Sequence, residues 1–245
     1  TEIYTLSLHD ALPIYRRQLY MIKNNVTSAP ALYINGDRGY ADSNAGALTT
    51  LVDASKSWVA NEWAGCIALA IAGPGSFDPK PWRTIVSNTT TALTVDAAWT
   101  TTHTTATEYV ILGSNKWTVV AEATGLTADV TDILVVNNIT YFAQGDSVNI
   151  RKMQFPKTAG GNDHNFADDG TNKAAFLAVV RDATDGLGIW KANNDTIGVA
   201  RAGIVAFGTN LTFGTAITFT DDWGKITGIT EYGPSTKQLW VFREG

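Results

Sequence analysis

The chain has 245 residues, enough for one large or two small domains, and its 44% hydrophobic content suffices for a packed core. Charged residues make up only 17%, and the net charge of −5 disfavours a nucleic-acid groove or an anionic membrane surface as partner. A single cysteine, Cys66, excludes an internal disulfide, and no apolar run approaches the roughly 20 residues of a membrane-spanning helix.

What remains is abundant Gly and Thr with eight Trp, eight Tyr and nine Phe among β-branched residues, a composition of strands and tight turns. The expected fold is a soluble all-β protein: a small antiparallel barrel or sandwich module followed by propeller-like repeats.

Residues Thr1 to Ile14 (TEIYTLSLHDALPI) resemble, residue for residue, a translated reading frame of a widely used sequencing adapter. They are set aside from the fold as an assembly artefact. Residues 15–50 form an irregular, partly strand-like segment. Arg16 to Lys23 fits a short helix or a strand. Ala31-Leu32-Tyr33-Ile34 reads as a strand entering a turn at Asn35-Gly36, and Asp37-Arg38-Gly39 continues as a solvated loop.

Residues 51–114 form the small β module. Its landmarks are Ser57-Trp58, Trp63-Ala64-Gly65, an apolar run from Cys66 to Ala72 and the turn Gly73-Pro74-Gly75. Trp82 to Thr89, Leu93 to Val95, Trp99 and Tyr109 to Ile111 follow. Short strands broken by Gly, Pro, Asn and Asp predict antiparallel pairing, with the tryptophans filling the core and Cys66 acting as a small buried hydrophobe.

Residues 115–245 carry a strand–turn–strand unit in three copies. Aromatics at Tyr141, Trp190 and Trp240 recur at about 50-residue spacing, in the range of propeller blades, and read as core markers. In the first copy Ile133 to Val136 is apolar at consecutive positions, predicting a strand buried on both faces. Asn137-Asn138 then supplies a two-residue hairpin turn, Ile139 to Ala143 returns, Gly145-Asp146 turns again, and Val148 to Ile150 is a third strand.

The second copy runs Ala175 to Val180, Leu187 to Ala192 and Thr196 to Ala200; the third runs Ile226 to Tyr232 and Gln238 to Phe242. Ahead of the second and third copies, Phe166-Ala167-Asp168-Asp169 matches Phe219-Thr220-Asp221-Asp222, predicting an outer strand that ends in an acidic turn. The third copy stops at Arg243-Glu244-Gly245, where the first has its second turn. That pattern predicts about two and a half blades of a propeller truncated at its C-terminus.

No catalytic constellation emerges. Adjacent carboxylates on a strand point to opposite faces, so neither Asp168-Asp169 nor Asp221-Asp222 can flank a glycosidic bond alone, and turn capping is the better reading. Asp163, Asn165, Asp168 and Asp169 lack the spacing of a calcium loop. His103 and His164 sit alone in polar loops, and no His or Cys spacing suits zinc or a nucleophilic triad. Gly73-Pro74-Gly75 lacks the helix a phosphate loop requires. No catalytic, cofactor-binding or metal residue is assigned, and no cofactor is expected.

The stretch from Ser57 through Trp63-Ala64-Gly65, the segment Arg83-Thr84-Ile85 to Asn88-Thr89 and the segment Leu93 to Trp99 together resemble a small β module of tailed-bacteriophage virion and tail-associated proteins. Two prolines make the loop Phe77 to Pro81 bulkier than that pattern. The resemblance implies a non-enzymatic structural or receptor-adhesion role in a virion, with other virion proteins or a host surface receptor, including a glycan, as partner. Homo-oligomers are compatible with it; nucleic acid and membrane are not expected. A carbohydrate-binding or carbohydrate-hydrolysing propeller and a bacterial surface or secreted scaffold are the rival readings.

Overall fold

The computed structural model describes residues 20–24, 29–113, 115–120, 123, 125–154, 164–182, 186–193, 198–219, 224–233 and 237–244. All regular structure among them is β, in five sheets with antiparallel ladders, and no helix there is long and apolar enough to cross a membrane. The adapter-like residues 1–14 lie outside the described residues, as do Asp163 and Asp221-Asp222.

The first half contributes β1 (Tyr20–Lys23), β2 (Ala31–Asn35), β3 (Asp37–Tyr40), β4 (Thr50–Val52), β5 (Ile67–Ala72), β6 (Trp82–Asn88), β7 (Ala92–Val95), β8 (Glu108–Leu112) and β9 (Trp117–Val119). Strands β1, β2 and β9 form a three-stranded sheet, and the other six pair in the order β3-β8-β5-β6-β7-β4. This larger sheet curls into a half-barrel. Its edges are drawn together where Asp42 N donates to Val52 O at 2.7 Å and Val52 N to Ser43 O at 2.9 Å. As the composition predicts, Trp58, Trp63, Cys66 and Trp99 fill the interior with Leu51, Ile85, Leu93 and Tyr109.

Asn35-Gly36 is a corner and not a hairpin turn. Strand β2 pairs with β9 while β3 pairs with β8, so one long two-stranded ribbon leaves the small sheet and enters the half-barrel. Gly36 makes the bend with φ +76°, and a Cβ there would lie 2.0 Å from Ile111 O. The expected solvated loop at Asp37-Arg38-Gly39 is therefore β3, with Asp37 and Arg38 6% and 1% exposed. Both charges are buried because the ribbon is covered on both faces, which no local residue pattern announces.

The second half forms β10 (Asp132–Val136), β11 (Ile139–Ala143), β12 (Gly145–Gln154), β13 (Asn165–Ala174), β14 (Phe176–Asp182), β15 (Gly186–Ala192), β16 (Gly198–Gly203), β17 (Ile217–Thr218), β18 (Ile226–Tyr232) and β19 (Gln238–Arg243). Strands β10 to β13 and β14 to β17 are four-stranded meanders, and β18-β19 is a hairpin. The two-residue turn holds: Val136 pairs with Ile139 across Asn137 and Asn138, at φ 47° and 68°. Strand β12 outruns its expected span, reaching Gln154.

The outer strand expected ahead of the second copy is β13, the last strand of the first meander. Asp168 and Asp169 lie within β13, so they do not cap a turn.

The sheets stack face to face. Phe142 and Met153 pack on the three-stranded sheet, Leu134 and Tyr141 on Leu177 and Ile189 of the second meander, and Ala178 and Trp190 on Ile226 and Ile229 of the hairpin. Consecutive apolar residues in β10 and β11 are thereby explained, since alternate side chains enter two different cores. Tyr141 is fully buried and Trp190 partly so; Trp240, expected as a core marker, is 46% exposed. It occupies the equivalent register, where the ring of Tyr232 in the same hairpin lies 4.7 Å from it.

Gly36→Ala combines a left-handed backbone with a backbone clash, so a loss of about 2 kcal/mol or more is expected by urea denaturation. Gly46→Ala, with the same φ sign but open space, is the control and is expected to lose less.

Candidate functional site

Three clusters gather polar groups. The first lies where the half-barrel, the three-stranded sheet and the first meander meet. Arg38 and Glu108 stand diagonally across the β3–β8 ladder and form a buried ion pair. Arg38 Nη1 also donates to Tyr20 Oη at 3.0 Å, and Tyr20 Oη lies 3.5 Å from His164 Nε2. On the opposite face of β3, Asp37 accepts from Trp58 Nε1 at 2.6 Å and pairs with Lys56 at 3.4 Å. Asp53 accepts from Tyr109 Oη at 2.7 Å and from Ser55 Oγ at 2.5 Å. Gly39 closes over this group: a Cβ there would lie 2.2 Å from Asp53 Oδ2.

The second cluster is enclosed between the meanders. Lys152 and Asp169, 2% and 0% exposed, are 3.2 Å apart. Lys152 Nζ also donates to Thr209 O at 2.8 Å and Asn210 Oδ1 at 2.9 Å, while Asp169 accepts from Leu211 N at 2.9 Å and Asn172 Nδ2 at 2.8 Å. Neighbouring Tyr141 is driven up to about 12, by burial first and by the Asp169 charge second. Burial also lowers the Lys191 amine, against a smaller opposing pull from Asp169. Asp168 faces outward and pairs with Arg151 at 2.8 Å. The two carboxylates thus lie on opposite faces of β13, as strand geometry requires. Both are engaged by cations, and among the described residues no three His, Cys, Asp or Glu side chains form a metal-binding group.

The third cluster holds the loop between β5 and β6. Asp78 accepts from Thr100 N and Thr101 Oγ1, both at 2.8 Å. Burial alone would raise this carboxyl, but those hydrogen bonds and the Arg83 charge outweigh it and hold it below 3.8. Pro74 O accepts from Thr107 Oγ1 at 2.8 Å and faces His103 Nδ1 at 3.4 Å. Gly73-Pro74-Gly75 is therefore an anchor point within a turn. The loop so fastened displays Phe77, 92% exposed, and leads to Trp82, 42% exposed, with Lys80 Nζ 3.9 Å from its ring centroid. Trp82 departs from the expected core role of the tryptophans because it lies on the outer face of β6, opposite Arg83 and Ile85.

Both described histidines lie in loops, as expected, but they are buried there. His103 is 1% exposed and packs edge-on against Trp99 at 4.3 Å; His164 is 4% exposed and packs against Tyr20. Burial lowers the His103 imidazole below 6.5, and its Nε2 has no hydrogen-bond partner among the described residues. Of the buried charges that the sequence reading passed over, Lys152 had a usable signal. It shares strand parity with core residue Ile150, so alternation assigns it inward. Arg38 and Glu108 had none.

The module segments singled out in the sequence act as fasteners. Asn88 accepts from Trp63 N at 2.8 Å and donates to Val59 O at 2.9 Å, holding the loop between them. Arg83 is 5% exposed and donates to Ala97 O and Ala98 O at 3.1 and 2.7 Å.

Lys152→Met leaves Asp169 buried without its cation, with an expected loss of about 3–5 kcal/mol in equilibrium unfolding. Adding Asp169→Asn is expected to recover part of that loss. For His103, the unfolded chain takes up a proton near 6.5 where the folded chain does not. Its stability contribution is therefore full above that pH and falls as pH drops below it. Asp78 titrates below 3.8, outside this window. The urea midpoint is expected to fall between about pH 7 and about pH 5, with a shallower slope in His103→Gln. No protein-family model matches the chain, and neither curated proteins nor solved structures return a match.

Proposed function

We propose that the chain is a non-enzymatic structural or receptor-adhesion component of a phage particle, associated with its tail or fibres. In this reading the half-barrel is the small β module, and the stacked meanders and hairpin are blades of a propeller. The observation that supports it most is the use made of the residues carrying the resemblance. Trp63, Arg83, Asn88 and Trp99 are buried and hold loops in place, leaving a stiff scaffold. The buried charges point the same way, since each ion pair is enclosed or matched by cations and hydrogen bonds.

The fastened loop bearing Phe77, Lys80 and Trp82 supplies the adhesive element. A rigid, exposed aromatic is the type of residue that concentrates binding energy at an interface. The same aromatics favour the second reading, a carbohydrate-binding propeller, because Trp82 offers a ring face on which a sugar can stack. Partners are then other virion proteins or a host receptor, and the location is the virion.

Antibodies raised against the chain are expected to label the tails or fibres of phage particles encoding it, seen by electron microscopy. Particles with the intact gene that bind no antibody would rule the virion reading out. For adhesion, Phe77→Ala with Trp82→Ala is expected to weaken attachment to host cells by about tenfold or more. Binding on a glycan array that the same double variant abolishes would favour the carbohydrate reading.

A further inference from the structure

One contact of the buried Lys152–Asp169 pair joins groups that can react with each other. Lys152 Nζ lies 2.9 Å from Asn210 Oδ1 and 3.2 Å from Asp169 Oδ1. An amine, a carboxamide and a carboxylate thus meet at one point, with the lysine 2% and the aspartate 0% exposed. These are the parts of an amide exchange: a nucleophile, an acyl group and an acid–base residue in reach of the nucleophile.

The backbone on both sides of Asn210 is fixed to the same pair. Lys152 Nζ donates to Thr209 O at 2.8 Å, and Leu211 N donates to Asp169 Oδ1 at 2.9 Å. Asn172 Nδ2 bridges Asp169 Oδ2 and Leu211 O, both at 2.8 Å. Such anchoring keeps amine and carboxamide in contact, so orientation replaces a chance collision. Of the three oxygens that accept from Lys152 Nζ, only Asp169 Oδ1 can take its proton. The surroundings are apolar, with the Phe207 ring centroid 5.8 Å from Nζ and buried Tyr141 opposite Lys152 in the ladder. Asn210 itself is exposed, which gives a small leaving group a way out to solvent.

We propose that Lys152 and Asn210 become joined by an intramolecular isopeptide bond, with Asp169 as the proton carrier. The ammonium passes one proton to Asp169, and the free amine attacks Asn210 Cγ. As the Cγ–Nδ2 bond breaks, Asp169 gives that proton to the departing nitrogen and takes a second one from Nζ. Ammonia leaves, a neutral amide and a neutral Asp169 remain, and no outside reagent is consumed. Because both reactants belong to the chain, enclosure from external substrates does not oppose the step. The bond ties β12 to the segment between β16 and β17, across 58 residues, and so staples the two meanders together. The proposal is independent of the virion reading.

Intact-mass spectrometry of the full chain, held at neutral pH, is expected to read one ammonia below the mass of the sequence. Trypsin is expected to release a branched peptide joining Lys152–Lys157 to Ala202–Lys225. Asn210→Ala keeps the Lys152–Asp169 pair and is expected to show neither the loss nor the branch, with far-UV circular dichroism unchanged. Asp169→Asn keeps both reactants and is expected to slow the loss by about a hundredfold or more. A wild-type chain that stays at the mass of its sequence overturns the proposal. So does an ammonia loss that Asn210→Ala retains, a branch that maps to other residues, or loss at the wild-type rate in Asp169→Asn.

Discussion

The ion pair between Arg38 and Glu108 is the constraint on which the arrangement of the first half depends. Both residues are 1% exposed, on the outer face of a half-barrel whose inner face is filled by tryptophans. A charge so placed is costly unless its partners are complete, and removing one partner leaves the other uncompensated. Arg38 is completed by Glu108 in its own sheet and by Tyr20 in the next, with His164 of the first meander against Tyr20. Three sheets therefore meet at one guanidinium. Apolar contacts alone would tolerate sliding of these sheets; directional bonds to a buried cation do not.

Lys152 and Asp169 repeat the device between the two meanders, where Thr209, Asn210 and Leu211 hold the connecting segment onto the pair. In both places charges that resemble catalytic apparatus are closed off by their own neighbours. A general acid or base needs access to substrate and a proton it can exchange. Asp169 has no such access, being 0% exposed and bound by a lysine, a backbone amide and an asparagine. The chain places its exposed chemistry elsewhere, in aromatic groups on a fastened loop and on the open side of the last hairpin.

The repeats explain why one aromatic position behaves in three ways. Tyr141, Trp190 and Trp240 share a register on the second strand of each unit. The first is sealed by the following meander, the second is partly covered by the hairpin, and the third meets no described sheet. Burial at this position is a property of the stack and not of the residue. Its large apolar side chain is suited to a neighbour in every copy, and which sheet supplies that neighbour sets its exposure.

The sequence by itself determined the β class, the core role of Trp58, Trp63, Trp99 and Cys66, the Asn137-Asn138 hairpin and the order of strands in the repeats. These follow from local rules: alternation, positive-φ turn residues and the size of aromatic side chains. Only the tertiary structure decided that Asp37-Arg38-Gly39 is a strand, that Asp169 is a buried counter-ion, that both described histidines are enclosed and that Trp240 is exposed. Each of these depends on which distant segment covers the residue. A strand buried on one face and a strand buried on both have the same local geometry, and charged residues read as solvated until their partners, tens of residues away, are in place.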